Sequence, residues 1–162
     1  MQTKKGQSGF SLIELLIVVA IIGIIAAIAI PNLLAARRAS NESAAIATMK
    51  TILNAEETYR STLGEGNEYA DQADLLTEKL LDSVIGTAGT IKSGYSYTAA
   101  VVGANNQWFD ATGVSQQTST GSRSFFVNEA GVVYGSASGT LTAPTCTATD
   151  ARTVAGGDPV KN

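Results

Sequence analysis

Residues 10–30 read FSLIELLIVVAIIGIIAAIAI, an apolar run of 21 residues interrupted only by Ser11, Glu14 and Gly23. At 1.5 Å per residue it makes about 32 Å of helix, enough to cross a bilayer core of roughly 30 Å. A secretory signal has a shorter apolar core, about 7–15 residues, and ends in a small-residue cleavage site. This run is too long, has the wrong flanks and contains a carboxylate, so it reads as a retained membrane span. Ahead of it lies MQTKKGQSG, with Lys4 and Lys5 and no acid. A basic stub stays on the cytoplasmic side and sends the rest outward. Arg37 and Arg38 follow the span closely and nearly balance that charge, so the orientation rests on the tendency of the first helix.

Beyond Pro31 the pattern changes rather than stops. Ala45, Met49, Ile52, Tyr59 and Leu63 recur at helical spacings, with Ile46 and Leu53 widening the stripe, which predicts an amphipathic continuation. The opposite face is expected to carry the pairs Arg38 with Glu42 and Glu56 with Arg60, each four residues apart. Gly64 supplies a stop. One rod of about 80 Å is thus expected from Phe10 to about Thr62, with a packing face only in its second half.

The remainder is β-like. After a connecting segment with a short helix expected at 73–81, Tyr95, Tyr97, Ala99 and Val101 alternate with Ser96, Thr98 and Ala100, the pattern of a half-buried strand. Residues 108–113, 124–128 and 132–136 are further strands, the last two joined by a turn at Glu129, Ala130 and Gly131. The expected fold class is α+β. The long helix packs its Met49, Ile52 and Tyr59 stripe on a small antiparallel meander, since three or four strands alone make a thin core. The aromatics Tyr95, Tyr97, Trp108, Phe125 and Phe126 read as core. From Gly139 onward the chain is small, polar and aperiodic, and is expected to be a surface tail with little regular structure.

Composition removes several classes of function. The 162 residues are 44% hydrophobic and 15% charged, against roughly 25% charged in an average soluble domain, and include no histidine and one cysteine. Ser-His-Asp and Cys-His catalysis, histidine-ligated metals and an internal disulfide are therefore excluded, and no enzyme activity or cofactor is expected. The net charge of −3 lacks the basic footprint of a nucleic-acid binder. Glu65, Glu68, Asp71 and Asp74 share a glycine-bearing stretch, but their spacing fits no EF-hand and reads as a solvated loop, so no metal is expected. Cys146 reads as a partly buried, inert thiol, with an intermolecular bridge as the alternative. The Ser/Thr-rich residues near 136–153 have the composition of an O-glycan acceptor.

Glu14 is the most informative single residue. A carboxylate in a bilayer interior costs up to roughly 2.5–3.5 kcal/mol, less near an interface, so it is either functional or snorkels to the headgroups. Pro31 cannot donate to the Ala27 carbonyl, and Gly23 weakens the helix before it, which makes the stretch between them a weak point.

A basic leader ending in Gly9, then Phe10, then a span with Glu at its fifth position, followed by Gly23 and Pro31, resembles the type IV pilin and pseudopilin family. The match is nearly continuous from Lys4 to about Leu34. The resemblance implies that a membrane-embedded prepilin peptidase and methyltransferase cuts between Gly9 and Phe10 and methylates the new Phe10 amine. Loss of the leader then takes the net charge from −3 to −5. It implies that Glu14 and the Phe10 amine pair during assembly, and that the stretch between Gly23 and Pro31 unwinds in a filament. Many pilins close a C-terminal loop with a disulfide, and the unpaired Cys146 departs from that pattern.

The organisation expected on this reading is a cleaved leader at 1–9, a transmembrane and filament-core half-helix at 10–30 and an amphipathic half at 31–63. A connecting loop at 64–93, a sheet at 94–138 and a tail at 139–162 follow. The expected function is that of a major structural subunit of a type IV pilus, polymerising with copies of itself through its apolar helix. It is first held as a single-span precursor in the bacterial inner membrane, where an assembly platform acts on it, and then becomes an extracellular filament used in adhesion, motility or related tasks. The alternatives are a pseudopilin of type II secretion, and a minor pilin binding DNA for uptake, which the charge of −5 disfavours.

Overall fold

The computed structural model describes residues 9–137, 139, 142–143, 145–146 and 152–160. Most of the leader, with Lys4 and Lys5, and much of the 138–151 segment lie outside the described residues. The chain forms two compact units, Met1–Ala36 and Arg37–Asn162. Helix α1, Leu12–Thr62, contributes to both.

The first unit is the N-terminal part of α1. Every large apolar side chain from Phe10 to Leu34 is between 43% and 82% exposed. A helix that is apolar all round has no face suited to water, so this surface must be covered by lipid or by other copies. Its backbone is helical through both Gly23 and Pro31.

In the second unit α1 buries Ala45, Thr48, Met49, Ile52, Ala55 and Glu56, a stripe that repeats every three or four residues. It lies on the inner face of a six-stranded antiparallel sheet of order β1-β2-β3-β4-β5-β8. The strands are β1 Ile91–Lys92, β2 Tyr95–Val102, β3 Trp108–Ser115, β4 Phe125–Asn128, β5 Tyr134–Ser136 and β8 Gly157–Pro159. Along β2 the alternation holds, with Tyr95, Tyr97 and Ala99 turned to the core. Phe109 and Ala111 of β3 and Phe125 and Val127 of β4 complete that face. The rings of Tyr95 and Phe125 lie 5.8 Å apart. Gly113 lets the helix approach, because a Cβ there would stand 3.1 Å from both Met49 Sδ and Tyr97 Cε1. Met49 thus fills the helix–sheet contact, and Met49→Ala should lower stability by about 2–5 kcal/mol, read as a fall in the urea midpoint of the micelle-held chain.

α1 ends after Thr62, with the N–H groups of Leu63 and Gly64 both donating to the Tyr59 carbonyl. Gly64 is required here, since a Cβ would sit 2.1 Å from the Glu68 carbonyl oxygen. Leu63, expected on the packing stripe, is instead 49% exposed because the chain is already turning. The helix expected at 73–81 is shorter: α2 spans Gln72–Thr77 and stops where Lys79 takes φ +59°. A separate turn of helix, α3, spans Ser83–Gly86, with Asp82 accepting from the Val84 and Ile85 N–H groups. β1 pairs with only Tyr95 and Ser96 of β2. Further along β2, side chains take the place of a neighbouring strand. Gln72 accepts from Ala99 N–H and donates to the Tyr97 and Ile85 carbonyls, and Asp71 accepts from Val101 N–H.

Two expected ion pairs on the outer face of α1 do not form. Glu56 is fully buried and accepts from Ala70 N–H. Arg60 donates to the Gly66 carbonyl and the Tyr69 hydroxyl. Glu42 accepts from both the N–H and the hydroxyl of Ser122 at 2.8 Å, and Asn41 donates to the Thr120 carbonyl, pinning the β3–β4 loop to the helix. Spacing alone misassigned these residues because it cannot show where the distant loops return.

The tail corrects the sequence reading most. β8 extends the main sheet, and β6, Thr145–Cys146, pairs with β7, Val154–Ala155. Phe126 and Asn128, on the opposite face of β4 from the core, are nonetheless buried. The C-terminal segment touches that outer face. Asn128 Nδ2 stands 3.6 Å from Cys146 Sγ, and Arg152 pairs with Asp110 and, at 2.7 Å, with Glu129. Arg152 also lies over the Trp108 ring, 5.8 Å from its centroid. A low-complexity stretch needs no periodic apolar pattern to add an edge strand, because main-chain hydrogen bonds and one buried arginine suffice to hold it.

Candidate functional site

The residues singled out by sequence stand at the start of the first unit. Gly9 and Phe10 precede the helix and are exposed, Phe10 at 82%. A Cβ on Gly9 would meet nothing within 4 Å. Neither residue is therefore needed for the packing of this chain, and the peptide bond between them is open to an enzyme.

Ser11 stands immediately before α1, and its N–H donates to Glu14 Oε2 at 3.0 Å. This is half of a capping box: a carboxylate three residues into the helix reaches back and satisfies the N–H of the capping residue. Its charge also faces the positive end of the helix dipole. Glu14 is thus held beside the Phe10–Ser11 backbone, one residue from the nitrogen that cleavage after Gly9 would turn into an amine. The Ser-x-x-Glu spacing at Ser11 and Glu14 signals this arrangement in the sequence, and the reading of Glu14 as a membrane charge alone passed over it.

The acidic residues of the connecting segment do not converge. Glu65 and Glu68 line a hollow of about 350 Å³ with Leu63, Gly64 and Asn67. Asp71 is committed to the edge of β2, and Asp74 sits in the first turn of α2. Among the described residues no three metal-ligating side chains form a cluster. Cys146 is half-buried in β6, and no disulfide forms among the described residues.

The family model for the prokaryotic N-terminal methylation motif matches residues 4–30, the segment that contains Gly9, Phe10 and Glu14. The chain is 35% identical over 112 residues to the type IV wide pilus major component PilA4 of Thermus thermophilus, covering 67% of this chain and 83% of that protein. It is 41% identical over 71 residues to the type IV major pilin PilA of Myxococcus xanthus, covering 44% of this chain and 32% of the relative. It is also 30% identical over 82 residues to the type II secretion system core protein G of Aeromonas hydrophila, covering 51% of this chain and 52% of the relative. No solved structure matches significantly. With the motif at its N-terminal end, an apolar helix bare on every side and, later in the sequence, a helix-backed antiparallel sheet, the chain belongs to the type IV pilin family.

Proposed function

We propose that this chain is the major structural subunit of a type IV pilus, with no catalytic role. The observation that carries the reading is the bare apolar helix of the first unit followed in sequence by a head with its own closed core. Such a helix is satisfied equally by lipid and by copies of itself, which allows a membrane-stored monomer to become a filament subunit. The length over which the chain matches a wide-pilus major component supports the same reading. Before assembly the chain rests in the inner membrane. A prepilin peptidase removes residues 1–9 and the Phe10 amine is methylated, after which an inner-membrane platform adds the subunit to the filament. The likeness to a type II secretion protein favours a pseudopilin as the second reading.

Pro31 supplies no donor for the Ala27 carbonyl, and Gly23 lowers helix stability one to two turns before it. In lipid, backbone groups must pair within the helix, whereas in a filament neighbouring subunits cover those set free. We place the element that melts on assembly at residues 23–31. Cryo-electron microscopy of filaments sheared from cells tests both points. The expected result is long filaments with this chain as the repeating unit and non-helical backbone within 23–31. Filaments made of another subunit would overturn the pilus reading, and unbroken helix through Ala27 and Pro31 would overturn the melting element alone.

A further inference from the structure

α1 carries one fully buried carboxylate, Glu56. Its Oε2 accepts the Ala70 N–H at 3.0 Å, and its Oε1 is shut away from water with no partner. The charges acting on it, Glu57 on α1 and Asp71 beside Ala70, are both negative. The cation one turn along, Arg60, is engaged elsewhere: Nε donates to the Gly66 carbonyl, Nη1 to the Tyr69 hydroxyl, and the guanidinium lies 5.2 Å from the centre of the Tyr69 ring. Tyr69 donates to Glu57, and its hydroxyl is pushed up to about 12, first by burial and then by Glu57. Across the core, the titratable side chains among the hydrophobic residues that the strands contribute are Tyr95 and Tyr97, whose hydroxyls burial pushes upward. Among the described residues no cation acts on Glu56 to compensate its ionised form.

Ala70, whose N–H reaches Glu56, belongs to the buried stretch 69–75 of the connecting segment. Tyr69, Ala70, Gln72 and Leu75 are buried there, and the segment is also held by the Gln72 and Asp71 hydrogen bonds to β2, by Tyr69 N–H donating to the Asn106 carbonyl, by the Tyr69 hydroxyl between Arg60 and Glu57, and by the Tyr69 ring 4.9 Å from that of Phe109. Opening it would let water reach the carboxylate while the strands and α1 stay in place. We propose that Glu56 is a proton-operated latch: protonated, it keeps the 69–75 segment closed on α1, and ionised, it favours the opened segment.

Burial raises the Glu56 carboxyl from 4.5 to about 7, with Asp71 and Glu57 adding to the rise and the Ala70 hydrogen bond offsetting part of it. The closed form therefore binds the proton more tightly than a water-exposed form does. Its advantage is complete below pH 4.5, falls by about tenfold per pH unit up to about 7, and stays level above that. The head so gains a response near neutral pH in a chain that has no histidine.

The test is hydrogen exchange, read by mass spectrometry on the full chain in detergent micelles at pH 5 and pH 8 and corrected for intrinsic exchange. Protection of the Ala70 and Leu75 amides should fall by about one to two orders of magnitude between the two pH values, while Phe109 and Ala111 change little. Glu56→Gln keeps an acceptor for Ala70 N–H but cannot ionise, so its protection should not depend on pH. Unchanged protection in the wild type, or the same fall in Glu56→Gln, overturns the latch. If Glu56→Gln does not fold, a carbon-13 titration of the Glu56 carboxyl in the wild type decides: a midpoint at pH 6 or above supports the latch and one below it overturns it.

Discussion

Cells in which Gly9→Val replaces the native subunit should accumulate the full-length precursor and carry few filaments. The chain itself offers no reason for this loss, because a Cβ at position 9 meets nothing within 4 Å and Gly9 lies outside both helix and core. Folding, span insertion and head stability should all stay at wild-type values. On the proposed processing, the effect comes from an enzyme that reads the residue before the cut and fits it closely. Where a site fits its substrate closely, each surplus methylene costs about 1–3 kcal/mol, or roughly 10–200-fold in kcat/KM, and valine brings three carbons. Intact-mass measurement of membrane-extracted protein separates the outcomes. The wild type should begin at Phe10 and carry one added methyl group, and Gly9→Val should retain residues 1–9. Maturation of the variant to an N-terminus at Phe10 would remove Gly9 from the site. Gly9→Ala adds the smallest side chain and should be slowed least.

Much of the architecture was legible because it rests on periodicity. An apolar run of bilayer length, a stripe at Ala45, Met49 and Ile52, and the alternation at Tyr95, Tyr97 and Ala99 each state a local geometry, and the structure places those residues accordingly. What sequence reading missed depends on where remote segments return. Glu56 with Arg60, and Arg38 with Glu42, have the spacing of helix-surface pairs, yet Ala70 and Ser122 come back onto the helix and take the two glutamates. Likewise, residues 152–160 have no apolar pattern of a strand. Arg152 is held by Asp110 of β3 and Glu129 after β4, which no local rule connects to it, and β8 is bound by backbone groups that every residue carries. At the N-terminus the motif was legible in full, since its residues are contiguous. Its physical basis was read only in part, because the Ser11 to Glu14 hydrogen bond is a helix-capping feature inside a run that draws attention as a membrane span.

That double role makes Glu14 the residue where two substitutions separate two mechanisms. Glu14→Leu removes the acceptor for Ser11 N–H along with the charge, and Glu14→Gln removes the charge but keeps an acceptor that a capping box tolerates. Neither should harm insertion, since each takes a charge out of the span. The head lies in a different compact unit and should keep its stability. Lost capping frays at most the first turn, a cost of about 0.5–2 kcal/mol. On the proposal that the Phe10 amine of an incoming subunit pairs with Glu14 in the apolar filament core, loss of the carboxylate leaves a buried charge unpaired, a cost of about 3–5 kcal/mol. The unpaired charge outweighs the lost cap, so both variants should show normal membrane levels and filament yields reduced by more than about tenfold, each 1.4 kcal/mol being a factor of ten in the addition equilibrium. Yields of sheared filaments, set against subunit levels in membrane fractions from cells with no wild-type copy, make the comparison. Normal filaments from Glu14→Gln with few from Glu14→Leu would assign the role to helix capping, and normal filaments from both would show that Glu14 does not direct assembly.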